Sequence, residues 1–104
     1  LAYRWFGSVR AVVEAESGSA VGMARLVGDG GSVFHLSEAA VAPPHQGRGI
    51  GTAMVDALVA WLRANAPDGA YVNLLADVDG FYERWGFERT APASEAMGVR
   101  TEEL

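Results

Sequence analysis

Residues 46–52, Gln46-Gly47-Arg48-Gly49-Ile50-Gly51-Thr52, follow the apolar run Ala39-Ala40-Val41-Ala42 and open a long helical pattern. Three glycines in five positions let the backbone turn tightly and approach a ligand with few side chains in the way. The first N–H groups of a helix have no intrahelical partner, and the positive end of the helix dipole adds to them. Such a turn suits a phosphate or pyrophosphate, and Arg48 stands inside it as a charged clamp.

Two common glycine-loop patterns fail on the letters. A P-loop requires a lysine that reaches the outer phosphates, and all eight basic residues here are arginine. The dinucleotide fingerprint Gly-x-Gly-x-x-Gly places Thr52 at its last position when read from Gly47, and Met54 when read from Gly49. Neither nucleoside triphosphate hydrolysis nor a nicotinamide cofactor is supported.

Working outward, Ser8–Glu16 and Ala20–Val27 are Val/Ala-rich runs around Ser17-Gly18-Ser19, which predicts an antiparallel hairpin. Gly28-Asp29-Gly30-Gly31 reads as the next hairpin connection rather than as a second phosphate loop, because strand patterns flank it. Ser32–Val41 is a third strand, stopped by Pro43-Pro44. Ile50, Met54, Ala57, Leu58, Trp61 and Leu62 share one face of a helix from Gly49 to about Ala66, and Pro67-Asp68-Gly69 ends it. Ala70–Leu75 predicts a short parallel strand in a buried central position. Asp79 is expected to cap a short helix from Gly80 to Trp85 with Gly86 as its left-handed stop, and Phe87–Thr90 with Ala96–Arg100 to form a closing hairpin. The fold class is α/β, in one domain over residues 1–104.

The loop resembles the acetyl-coenzyme A loop of the GNAT superfamily of N-acetyltransferases, Gln or Arg, two residues, Gly, one residue, then Gly or Ala. Gln46, Gly49 and Gly51 fill that pattern, and Val41-Ala42-Pro43 stands where the family has Val-x-Pro. Phe81-Tyr82-Glu83-Arg84-Trp85-Gly86-Phe87 is similar to the family's Phe-Tyr-x-Lys-x-Gly-Phe segment. The resemblance runs from about Val12 to Arg100, with Leu75 and Val78 standing where relatives often carry Asn and Ala. It implies a mixed, mostly antiparallel sheet with a central parallel strand-helix-strand unit carrying the coenzyme A loop. The family's opening strand and two helices, which wall the acceptor pocket, have no counterpart here, so the chain reads as N-terminally truncated or as a short form. Trp5 and Phe6 would then seek cover from a partner chain, as in a homodimer.

The activity implied is direct transfer of an acetyl group from acetyl-coenzyme A to a primary amine of a small substrate. The resemblance assigns cofactor binding to Gln46, Gly47, Arg48, Gly49, Ile50, Gly51 and Thr52, with backbone groups of Ala39, Ala40 and Val41 pairing to the pantetheine arm as an added strand. It makes Tyr82 the general acid, the alternative being an aromatic core residue beside Phe81, Trp85 and Phe87. Glu38 is the candidate base, and equally a solvated strand residue. His35 reads as a surface or packing histidine, and Asp77 and Asp79 as loop and capping residues that could also attract a cationic amine. A non-catalytic acyl-coenzyme A binding module and a truncated interaction fragment stand as alternatives.

Composition bounds these readings. A chain of 104 residues without cysteine has no disulfide framework, Cys-ligated metal or Cys acyl-enzyme, and two isolated histidines make no zinc site, so no metal is expected. A net charge of −5 with scattered arginines argues against nucleic acid and favours a cationic acceptor. No apolar run reaches the ~20 residues of a membrane helix and no signal peptide opens the chain, so no membrane partner and a cytoplasmic location are expected.

Overall fold

Ser17-Gly18-Ser19 turns the chain as its composition predicts. Strands β1 (Ser8–Glu14) and β2 (Ala20–Gly28) pair antiparallel around it, with Ala15 N–H donating to the Ser19 carbonyl (2.9 Å) and Gly18 N–H to the Ala15 carbonyl (2.9 Å). These bonds draw Ala15 and Glu16 into the turn, so β1 ends two residues earlier than its apolar run. The computed structural model describes residues 8–104, without the side chains of Ser8 and Glu38; Trp5 and Phe6, and the partner expected to cover them, lie outside the described residues.

Strand β3 (Val33–Val41) pairs antiparallel with β2, and β4 (Tyr71–Leu74) pairs parallel with β3, in the order β1-β2-β3-β4. Helix α1 (Ile50–Asn65) makes the crossover between β3 and β4. This is a mixed α/β fold with a mostly antiparallel sheet, as expected. The period-two alternation divides β3 into buried Phe34 and Leu36 on one face and Val33, His35 and Ser37 on the other. Val9, Ala11, Ala24 and Leu26 join Phe34 and Leu36 in the core, and α1 covers them with Met54, Val55 and Leu58. Trp61 meets Phe34 edge to face at 6.2 Å between ring centroids. Val55, absent from the expected helix face, is fully part of this core.

Two expectations about the sheet are corrected. Among the described residues β4 is an edge strand, and Tyr71, opposite Val33, is 53% exposed. Its apolar run reflects half-burial of Val72 and Leu74 rather than a central position. Phe87–Thr90 and Ala96–Arg100 form no strand: a local turn in which Ser94 N–H donates to the Thr90 carbonyl (3.0 Å) separates them, and residues 88–104 are exposed throughout. Glu88 and Arg89 leave the first of these segments without a second apolar residue to bury on one face.

The β2–β3 connection is the hairpin its sequence predicts. Asp29 accepts N–H bonds from Gly31 (2.9 Å), Ser32 (2.7 Å) and Val33 (3.1 Å) and the Ser32 hydroxyl. The amides that would cradle an external anion already hold this carboxylate, which sets the phosphate-loop alternative aside. The Ser32 hydroxyl, then the three amides, keep the Asp29 carboxyl well below the usual carboxylate range. A depressed folded-state pKa stabilises the fold above the unfolded value of ~3.9, and that contribution is lost as pH falls below it. Asp29→Asn is expected to flatten the acid side of a plot of melting temperature against pH, leaving the neutral-to-alkaline side parallel to that of the parent.

Gly28 is fixed by a close approach. A Cβ there would sit 2.2 Å from the Val33 carbonyl oxygen and 3.1 Å from the Phe34 Cα. Both are backbone atoms of the paired strand, so relief requires β2 and β3 to part. Gly28→Ala is expected to cost about 3 kcal/mol. In a thermal melt this is a fall of roughly 12 °C or more.

The described residues form two compact units, the first ending at Leu74 and the second spanning 75–104. In the second, a short 3-10 turn (Tyr82–Trp85) ends at Gly86, whose φ of 89° is the left-handed stop expected. The cap differs. Phe81 precedes the turn with no side-chain cap, and Asp79 instead accepts a bond from Arg89 (2.8 Å) in an exposed pair. Two residues N-terminal to Phe81, Asp79 is too early in the chain to reach the turn's amides.

Candidate active site

Strand β3 supplies the first part of the site because it outruns its neighbour. Parallel pairing with β4 stops at Leu36 opposite Leu74, while β3 continues to Val41. On its other edge the pairing with β2 persists, with Ala40 opposite Met23 and Val41 opposite Gly22. Residues 37–41 therefore carry backbone N–H and C=O groups on the β4 side that no described strand occupies. Between these pairs the register slips, so that Glu38 and Ala39 together oppose Ala24 in a β-bulge. Neither glycine nor proline marks that bulge, and nothing in the letters announces it. At Ala39 it overlaps the segment expected to bind the pantetheine arm, Ala39, Ala40 and Val41.

The turn that follows is held by its own side chain. Ala42 N–H donates to the Val21 carbonyl (2.8 Å), a 3-10 turn occupies Pro43–His45, and Gln46 Nε2 reaches back to the Val41 carbonyl (3.0 Å). The glutamine of the motif is thus a clamp on the strand end. Gly47 (φ 78°) and Gly49 (φ 81°) are left-handed, which only glycine adopts without strain. Gly49 is the N-cap of α1, no side chain caps this end, and no acidic residue stands in the first turn. Arg48 between the two glycines is exposed. A Cβ at Gly47 or Gly49 would meet nothing within 4 Å, so the space in front of both is open. The loop residues Gln46 to Thr52 and the strand end Ala39–Val41 are thus brought together in one unit.

Of the two expected catalytic residues, Glu38 has its backbone at the bulge, and its side chain lies outside the described part. Tyr82 belongs to the second unit and is buried among Phe81 (4.9 Å between ring centroids), Trp85 (6.4 Å) and Phe87 (6.2 Å). Arg84 lies over the Phe81 and Trp85 rings at 5.0 and 5.3 Å. Burial, and then the negative charge of Asp77, push the Tyr82 hydroxyl above the ordinary phenol value. Both causes keep the proton on. The other histidine of interest, His35, is tied to the Asn73 side-chain oxygen at 2.5 Å across β3 and β4, a packing role as expected. The β-bulge and the parting of β3 from β4 are features that reading the sequence missed.

The family model described as an acetyltransferase (GNAT) domain matches residues 7–89. No curated protein matches the chain. Among solved structures, the chain is similar to a Staphylococcus aureus protein of unknown function termed a probable acetyltransferase, at 29% identity over 88% of this chain and 70% of that one, with a TM-score of 0.81. A Trypanosoma brucei acetyltransferase is similar at 28% identity over 90% and 68% of the two chains, with a TM-score of 0.70. A GNAT family acetyltransferase from Streptococcus pneumoniae is similar at 25% identity over 89% and 71%, with a TM-score of 0.72.

Proposed function

The chain belongs to the GNAT acetyltransferase family, and from that premise we propose that it transfers an acetyl group from acetyl-coenzyme A to the primary amine of a small acceptor by direct attack. The observation that carries this reading is the stretch of β3 beyond Leu36, whose backbone on the β4 side is paired with no described strand and leads straight into the open glycine turn. An extended arm bearing amides can add to residues Ala39–Val41 as a strand would. A pyrophosphate can meet the leading amides of α1 and Arg48. The residues fit coenzyme A because its two recognisable parts, an amide-bearing arm and a pyrophosphate, require these two features in this order. The thioester supplies an activated acetyl carbon.

The chain's own residues then have three tasks. The loop and β3 fix the donor so that the amine nitrogen meets the thioester carbonyl carbon. Glu38, directly or through water, takes a proton from the ammonium, leaving the lone pair that forms the new C–N bond. As the C–S bond breaks, the Tyr82 hydroxyl protonates the thiolate. At neutral pH the group is a phenol and not a phenolate, so the proton is present to be given.

Release of free thiol from acetyl-coenzyme A on addition of a panel of primary amines tests the proposal, with amine-dependent release expected. Saturable binding of acetyl-coenzyme A without release across the panel would overturn it in favour of a non-catalytic acyl-coenzyme A binding module.

A further inference from the structure

Gly22 on β2 stands where the end of β3 and the start of α1 meet. It pairs with Val41, the last residue of β3, and beside it the Val21 carbonyl accepts the Ala42 N–H at 2.8 Å. Its other neighbour is the front of α1. A Cβ at Gly22 would sit 2.9 Å from Ile50 Cγ2, 3.1 Å from Met54 Sδ and 3.3 Å from Met54 Cε. The φ of Gly22 lies outside the left-handed region, so the backbone does not require glycine. Glycine inside a strand costs stability relative to alanine. What the position requires is the absence of a side chain.

The three contacts differ in how they can yield. Met54 is buried, but its unbranched thioether chain can repack to a small intrusion. Ile50 Cγ2 is bonded to the β carbon itself, and β-branched side chains in a helix hold one χ1 rotamer. The 2.9 Å contact is therefore relieved by moving the backbone of Ile50, the first residue of α1. Along β2 the buried residues at alternate positions grow from Gly22 through Ala24 to Leu26, which leaves the first turn of α1 the closest approach to the strand. The end of β3 is held by backbone pairing instead: beyond the bulge, Ala40 stays opposite Met23 and Val41 opposite Gly22. One residue thus locates both halves of the site, β3 through its backbone and the leading amides of α1 through its missing Cβ.

We propose that Gly22 is a positioning residue of the donor site, letting Ile50 close on β2 and so fixing the separation between the end of β3 and the leading amides of α1. A ligand that engages both at once gains over its two halves only while that separation matches its own. Naming this ligand as coenzyme A rests on the acetyl-transfer reading. Pantetheine carries the arm alone and ADP the pyrophosphate alone. These two and coenzyme A are titrated calorimetrically into the parent, Gly22→Ala, Ile50→Leu and the double variant, with melting curves alongside so that every titration is made on folded protein. Ile50→Leu removes the Cγ2 methyl at nearly constant volume.

Gly22→Ala is expected to bind coenzyme A about tenfold more weakly than the parent, and each half-ligand within about twofold of it. Whatever Ile50→Leu costs by itself, adding Gly22→Ala to it is expected to cost less than about twofold more, because the atom that the new Cβ meets is gone. A role in stability alone would lower the melting temperature without separating coenzyme A from its halves. Equal affinity for coenzyme A in the parent and Gly22→Ala, a loss that persists in full on the Ile50→Leu background, or an equal loss for ADP would each overturn the proposal. Thiol release with primary amines decides the other question. A parent that binds coenzyme A in this Gly22-dependent way but releases no thiol from acetyl-coenzyme A would uphold the positioning role and sink the acetyl-transfer reading, whereas a parent that does not bind coenzyme A would sink both.

Discussion

Gly49→Ala is expected to bind coenzyme A about 100-fold more weakly than the parent, whereas Gly69→Ala binds it as the parent does. The two glycines pose the same local problem. Gly49 has φ 81° and Gly69 φ 83°, and a Cβ at either would meet nothing within 4 Å. Each alanine therefore carries the same left-handed penalty of about 1–2 kcal/mol, with no clash added. Each loop relieves it by rotating toward negative φ. At Gly69, in the turn between α1 and β4, that rotation disturbs one turn bond, from Ala70 N–H to the Pro67 carbonyl. At Gly49 it swings the N-cap of α1 and redirects the amides on which a pyrophosphate would rest. Titration of coenzyme A beside melting curves separates these effects: similar losses of stability with unequal losses of affinity are the expected pattern. Equal affinities in the two variants would remove residues 46–52 from the ligand site.

What the letters disclosed follows from where local chemistry decides. Gly86 is left-handed where a short turn must stop, and it could be named from its neighbours, whereas Gly49, expected as the first helical residue, is the left-handed cap before it. The helix face at Met54 and Leu58 was legible because a period of three to four residues has one solution. The parting of β3 and β4 after Leu36 and Leu74 was not, because pairing depends on two distant segments and an apolar run looks the same whether central or at an edge. The bulge at Glu38–Ala39 was hidden for the same reason: Ala24, the residue it faces, is fourteen positions away in the chain. Gln46 was recognised by its place in a motif, yet its clamp on the Val41 carbonyl is a tertiary fact that the motif only records. The closing hairpin failed where pattern was weakest, in Phe87–Thr90, a segment with one apolar residue and two charged ones.

Tyr82→Phe is expected to lower kcat/KM for acetyl transfer about 100-fold while leaving affinity for acetyl-coenzyme A and the melting temperature close to those of the parent. The substitution keeps the ring, so its edge contacts with Phe81 and Phe87, at 4.9 and 6.2 Å between centroids, survive. A role confined to packing is therefore left intact, and only the proton is removed. The sign of the pH dependence adds a second reading. Because burial and then Asp77 raise the Tyr82 pKa, the alkaline limb due to this hydroxyl lies above the ordinary phenol value of about 10. Asp77→Asn removes the second cause and leaves the first, so the limb moves to lower pH without vanishing. The same Asp77→Asn change made in the Tyr82→Phe background has no phenol to act on, and its alkaline limb stays where it was. A Tyr82→Phe enzyme turning over at the parent rate would place the tyrosine with Phe81, Trp85 and Phe87 as an aromatic core residue, and the proton for the departing thiolate would then have to come from water or another side chain.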